Sequence, residues 1–215
     1  MLETPTLTHL GRSDYLQVYE PAEDTFLLLD SLEKDLERLQ KMNATLCLEI
    51  GSGSGCVITF LSKLLGPSNA LCLATDINPA AASATCRTAQ ANGVAVDCVQ
   101  SGFTDAFASH FNRSVDILIF NPPYVVTGSD EVGSHSIEAA WAGGVDGREV
   151  IDRFLPSVDS LLSDKGLFYL VLINENKPSD VIKYMNSSFG FDAEIVMERT
   201  AGWEGLLVIR FQRSQ

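Results

Sequence analysis

Five short apolar runs, set apart by longer amphipathic stretches, constrain the fold of this chain more than any other feature. They read Leu46 to Ile50, Leu71 to Thr75, Val94 to Val99, Val115 to Phe120 and Gly166 to Ile173. Runs this short and this continuously apolar suit strands buried on both faces. Between them the spacing turns helical. Glu23 to Gln40 carries Phe26, Leu29, Leu32, Leu36 and Leu39 at steps of three and four, with charged residues between. Val57 to Leu65 stops at Gly66-Pro67, and Pro79 to Asn92 starts from Asn78 as a cap and ends at Gly93. Arg148 to Leu162 is a further helix that Pro156 should bend or divide, and Ser179 to Ser187 is the last. Strand–helix alternation predicts an α/β fold: a mostly parallel sheet with helices on both faces and right-handed crossovers. Two late runs, Phe191 to Met197 and Leu206 to Phe211, predict a terminal antiparallel hairpin and bring the sheet to seven strands.

At 215 residues, with no repeat or low-complexity linker, the chain reads as one domain over 1–215, with 1–14 a flexible N-terminal extension. Fifteen Lys+Arg against 28 Asp+Glu give a net charge of −13. Phosphate binding rests on Lys and Arg, so duplex DNA is disfavoured and a basic protein segment is the more natural guest. Cys47, Cys56, Cys72, Cys86 and Cys98 are odd in number, sit in apolar surroundings and form no C-x-x-C pair, which predicts core residues in a reducing compartment. His9, His110 and His135 lie far apart and suggest no metal site. There is no secretory-signal layout, and no apolar run approaches the roughly 20 residues of a bilayer span. The expected location is the cytoplasm, with the nucleus second, and no membrane partner.

Ligands of such sheets bind outside the carboxyl ends of the strands. The first end reads Glu49-Ile-Gly-Ser-Gly-Ser-Gly55-Cys56. A nucleoside-triphosphate loop would need Gly-Lys-Ser/Thr, and there is no lysine here. A dinucleotide fingerprint fits imperfectly, since Gly55 comes one residue early. S-adenosylmethionine fits better, because Glu49 suits a ligand bearing an ammonium and a sulfonium; a tight turn with nothing bound is the bland alternative. The second end is Asp76-Ile77-Asn78-Pro79, 25 residues beyond Gly51. An acid there can bind both ribose hydroxyls while Ile77 flanks the adenine. The fourth is Asn121-Pro122-Pro123-Tyr124. Two prolines stiffen the turn and leave carbonyls without competing N–H groups. Asn121 Oδ1 and the Pro122 carbonyl can accept both hydrogens of a planar –NH₂, and Tyr124 can wall it in. Holding both hydrogens aims a poor nitrogen nucleophile at a methyl donor.

Glu20-Pro-Ala-Glu-Asp-Thr25, Glu49-Ile-Gly-Ser-Gly-Ser-Gly55, Asp76-Ile-Asn-Pro79 and Asn121-Pro-Pro-Tyr124 together resemble the HemK family, over about residues 15 to 211. The resemblance implies a class I, Rossmann-like, S-adenosylmethionine-dependent methyltransferase that modifies a glutamine amide. The segment from Glu131 to Gly144 is similar to the eukaryotic branch acting on the Gly-Gly-Gln motif of the class I release factor. Members of that branch work with a small zinc-binding activator subunit. Carried over, Thr25, Glu49, Gly51, Gly53 and Asp76 would hold the cofactor, with Tyr19 and Glu23 near its methionine end. Asn121 would contact cofactor and substrate, Pro122 the substrate amide, and Tyr124 the substrate wall. The chain departs from the family at Gly102, where an acid is expected to contact adenine. Either a shifted loop lets Asp105 serve, or backbone groups and Phe103 do so.

Alternatives stay open on the acceptor. A histone-tail lysine would be drawn by the acidity but must first lose a proton and does not need two acceptors. Adenine N6 shares the Asn-Pro-Pro-Tyr geometry but lacks a basic DNA-reading module. The segment 125–147, with Trp141 and His135, is expected as a lid rather than a solvated loop. His135 as a general base is the weaker reading, since solvent can take the proton.

Overall fold

A computed structural model describes residues 2–66, 68–105, 111–133 and 137–214. The strands are β1 Leu46–Ile50, β2 Leu71–Asp76, β3 Asp97–Gln100, β4 Val115–Phe120, β5 Leu162–Ile173, β6 Phe191–Ala201 and β7 Glu204–Arg213. They form one sheet in the order β3-β2-β1-β4-β5-β7-β6. β1 to β5 pair in parallel, whereas β7 lies antiparallel to β5 and to β6. The sheet is therefore mostly parallel with a terminal hairpin, as the run pattern predicts. The helices are α1 Arg12–Tyr15, α2 Glu23–Lys34, α3 Leu36–Lys41, α4 Cys56–Leu65, α5 Pro79–Ala91, α6 Glu149–Leu161 and α7 Pro178–Phe189.

Strand alternation sorts the core into two layers. Leu46, Leu48, Ile50, Leu118 and Phe120 pack with Phe154 of α6 and Met185 of α7. Cys47, Ile117 and Ile119 pack with Leu28 of α2 and Ile58 of α4 on the other face. Glu49 falls on this second face and is only 2% exposed, so β1 delivers a carboxylate into the interior.

Several expectations need correction. The stretch 23–40 breaks at Asp35 into α2 and α3. The Asp35 backbone there has φ −89° and ψ 8°, and its carboxylate accepts from the Tyr169 hydroxyl at 2.7 Å and from the Arg210 guanidinium. Phe26, expected on the core stripe, is exposed. α6 runs through Pro156 as one helix rather than dividing. The third strand begins at Asp97, not Val94. Cys86 is exposed, unlike the buried Cys47, Cys56 and Cys72. Residues 2–14 are not a loose extension: Leu10 packs with Val18 against Ala81 and Ala84 of α5. Thr6 and Asn92 exchange two hydrogen bonds of 2.9 Å, tying this segment to the end of α5. No described helix is long and apolar enough to cross a membrane.

Candidate active site

A cavity of about 320 Å³ opens at the carboxyl ends of β1, β2 and β4. The turn after β1 makes one wall. Gly53 has φ +53°, and its N–H donates to Asp76 Oδ2 at 2.9 Å. Gly55, at φ +76°, lies so close to α5 that a Cβ would sit 2.6 Å from the Thr85 Cα. Both positions favour glycine, one for its backbone conformation alone and one also for space. Gly51, Gly53, Thr25, Tyr19, Ile77 and Asn121 all line the cavity.

Two acids face it. Glu49 Oε2 accepts from the Ile58 N–H at 2.9 Å, near the start of α4, yet burial still holds its carboxyl well above the ordinary glutamate range. Asp76 accepts from the N–H groups of Gly53 and Asn78, both at 2.9 Å; burial raises its carboxyl and these bonds partly offset that. Asn78 caps α5 by accepting from the Ala80 N–H, so Asp76 is not needed for capping. Buried carboxylates raised in this way make a wall that favours a cationic guest.

The third wall carries Asn121, and its organising residue is Asp24. Asp24 is 4% exposed at the start of α2. Its Oδ1 accepts from the Thr25 N–H at 2.7 Å, the Tyr19 hydroxyl at 3.2 Å and the Thr25 hydroxyl at 3.3 Å. Its Oδ2 accepts from Asn121 Nδ2 at 2.9 Å and the Tyr124 hydroxyl at 3.1 Å. Asn121 Oδ1 is buried and has no hydrogen-bond partner among the described residues. Burial, with the Asp24 charge next, pushes both the Tyr19 and Tyr124 phenols upward, so both stay protonated donors.

Other expected residues fall less simply. Glu23 does not line the cavity; it is mostly exposed and pairs with Arg199 at 3.4 Å. One residue along a helix turns a side chain by about 100°, so Asp24 points inward where Glu23 points out. Pro122 is buried and off the cavity wall, while Pro123 lines it. Tyr124 is half-buried against both core layers and is likewise off the wall. Gly102 and Phe103 line the cavity, but Phe103, at φ +46°, also packs its ring 5.5 Å from that of Phe154. Asp105 lines it too, with Oδ2 3.4 Å from where a Cβ on Gly102 would lie.

The segment after Tyr124 folds back on itself. Val125 donates to the Trp141 carbonyl at 3.0 Å and accepts from the Gly143 N–H at 2.9 Å. Gly133, Ile137, Ala140 and Ala142 close one side of the cavity, so the expected lid does wall the site. Buried Asn176 anchors it, donating to the carbonyls of Tyr124 at 2.9 Å and Asp146 at 3.0 Å. His135, like His110, lies outside the described residues. Asp24 and Asn176 are the site residues that sequence reasoning missed. Neither stood out in the sequence: Asp24 sits beside a second acid, Glu23, in the same motif, and Asn176 lies outside every motif.

Residues 24–203 match the methyltransferase small domain family. Methyltransferase HEMK2 of Homo sapiens is 50% identical over 211 residues, covering 98% of this chain and 97% of the human protein. The chain belongs to the HemK family of methyltransferases. The eRF1 methyltransferase catalytic subunit mtq2 of Schizosaccharomyces pombe is 39% identical over 227 residues, 99% of this chain and 96% of that protein. The solved E. cuniculi Mtq2–Trm112 complex, responsible for methylating the eRF1 translation termination factor, has a similar chain. That chain is 28% identical with a TM-score of 0.64, covering 92% of this chain and 99% of its own.

The cofactor of this HemK-family methyltransferase is S-adenosylmethionine, and the cavity fits it. Its two raised carboxylates meet the needs of a cation carrying a ribose, and Gly53 offers backbone with no Cβ in the way. Glu49 and Tyr19 would serve its charged methionine end, Asp76 its ribose, and Ile77 with the Gly102–Asp105 turn its adenine. Once bound, it supplies an electrophilic methyl group on a sulfonium.

Proposed function

We propose that this chain methylates the side-chain amide of the Gly-Gly-Gln glutamine of eRF1, working with a small zinc-binding activator subunit. The observation that carries the reading is the buried Asn121 Oδ1 beside the cavity, without a partner among the described residues. A buried acceptor left without a donor costs roughly 1–3 kcal/mol, which a substrate N–H repays. Asn121 Oδ1 accepts one amide hydrogen, orienting the nitrogen while solvent takes the released proton. Relatives that methylate eRF1, one of them in complex with Trm112, support the substrate and the partner. Gly102 leaves the adenine to Asp105, whose carboxylate borders the space a side chain at 102 would fill. The reading puts the chain in the cytoplasm, where the release factor works.

The test is mass spectrometry of eRF1 after incubation with cofactor and the chain–activator complex. The Gly-Gly-Gln peptide should gain one methyl group, and Asn121→Ala should lower the rate about 100-fold or more. Methylation that persists undiminished in Asn121→Ala would sink the mechanism. A methyl group found only on lysine of a histone tail would replace glutamine with that acceptor.

A further inference from the structure

We infer that Asp24 is a positioning residue that sets which end of the Asn121 amide faces the substrate. The inference rests on the reading above, in which Asn121 Oδ1 accepts a substrate N–H. A side-chain amide has two ends of nearly equal shape and opposite polarity, so an asparagine that must present oxygen needs something to forbid the flipped form. Asp24 does so. Its Oδ2 lies 2.9 Å from Asn121 Nδ2, and turning the amide over would set two oxygen acceptors against each other at that distance. The same oxygen takes the Tyr124 hydroxyl at 3.1 Å, so one carboxylate fixes both functional side chains of the Asn-Pro-Pro-Tyr turn.

Asp24 is itself held. Three donors converge on Oδ1, from Thr25 and Tyr19, and two on Oδ2. All five bonds need an acceptor, which only a carboxylate offers on both sides. An isosteric asparagine at 24 must place its NH₂ on one side. It keeps its oxygen toward the three donors and turns NH₂ toward Asn121. Asn121 then answers with its oxygen, and its own NH₂ swings toward the substrate amide, where donor meets donor. Asp24→Asn therefore changes hydrogen-bond polarity at the reacting nitrogen with almost no change of shape. Thr25, expected as a cofactor contact, acquires a second task as the strut beneath Asp24.

The test is a double-mutant cycle on Asp24→Asn and Asn121→Ala in the chain–activator complex. It reads kcat and KM on eRF1, cofactor affinity by calorimetry, and the melting temperature. Asp24→Asn should lower kcat about 100-fold, the scale of a misaligned reacting group, with cofactor affinity within about twofold. In the Asn121→Ala background the same change should cost less than about twofold, because the residue it acts through is gone. Asp24→Glu, which keeps two acceptor oxygens, should recover part of the loss. Independent losses that multiply, or an Asp24→Asn enzyme with full kcat, would overturn the inference. So would cofactor affinity and melting temperature collapsing together with activity in both Asp24 variants, which marks a merely structural role. If the wild-type complex methylates a different nitrogen, the glutamine reading falls, and the cycle scored on that nitrogen still decides Asp24.

Discussion

At the scale of single residues the site is a set of buried polar groups whose costs are met in different ways. Asp24 is satisfied within the protein by five donors, whereas Asn121 Oδ1 has none among the described residues. Glu49 lies between, with the Ile58 N–H as one bond and a carboxyl raised by burial. A carboxyl whose folded-state value lies above its unfolded one binds more protons folded than unfolded, so its share of stability is present at low pH and lost as pH rises. The window opens at the ordinary glutamate value of about 4.5 and extends upward. Melting curves of the cofactor-free protein should therefore show Glu49→Gln gaining on wild type as pH climbs from about 4.5 to 7. S-adenosylmethionine should narrow that gap by pairing its cation with the carboxylate. Curves that run parallel across this range would show that Glu49 does not titrate as its burial dictates. The motif Glu49-Ile-Gly made this acid legible from the sequence; that it would be almost wholly buried follows from β1 lying in the middle of the sheet.

At the scale of elements, the turn after β4 and the segment behind it work as one unit. Asn176, just past β5, ties the Tyr124 carbonyl to the carbonyl of Asp146. Gly147 sits at φ +65°, and a Cβ there would fall 1.9 Å from the Tyr124 oxygen. Nothing can stand at 147 but glycine unless the Asn-Pro-Pro-Tyr turn moves. Gly147→Ala should cost about 1–3 kcal/mol of stability through backbone strain. It should also reduce kcat more than cofactor affinity, since Tyr124 is displaced while the β1 and β2 ends stay put. Measured kcat within twofold of wild type would show the turn to be independent of its support. The sequence marked 125–147 as a lid by length and position alone. The Asn176 clamp joins residues 52 apart in the chain, a spacing that no local pattern encodes.

At the scale of the whole molecule, one sheet separates two core layers and brings three strand ends to one cavity. Phe154 is fully buried where the α6 layer meets the site. Its ring lies 4.9 Å from that of Phe120, the last residue before Asn121, and 5.5 Å from that of Phe103 on the cavity wall. Phe154→Ala should destabilise the fold by about 3–5 kcal/mol, read as a lower denaturation midpoint with unchanged slope. A loss below about 1 kcal/mol would mean that the layer refills the space. The net charge of −13 acts at this scale as well, disfavouring duplex DNA without selecting among amide and amine acceptors.

Local sequence carries the periodic pattern of the sheet and the chemistry at its edge. Apolar runs mark strands, helical spacing marks their covers, Glu49 sits one residue before the end of its run, and Asp76 and Asn121 follow theirs. These are local signals, carried by neighbours along the chain. It did not determine where α2 ends: the break falls at Asp35, whose carboxylate is held by Arg210 and Tyr169 across the fold. It did not place the segment 2–14, whose partners lie on α5. Nor did it separate Glu23 from Asp24: both are acids in one motif, and only the docking of α2 on α4, β6 and β7 turns one to solvent and the other onto Asn121. A side chain's chemistry is written in the sequence, whereas its partner is chosen by packing between distant segments, and the polarity of this site depends on that choice.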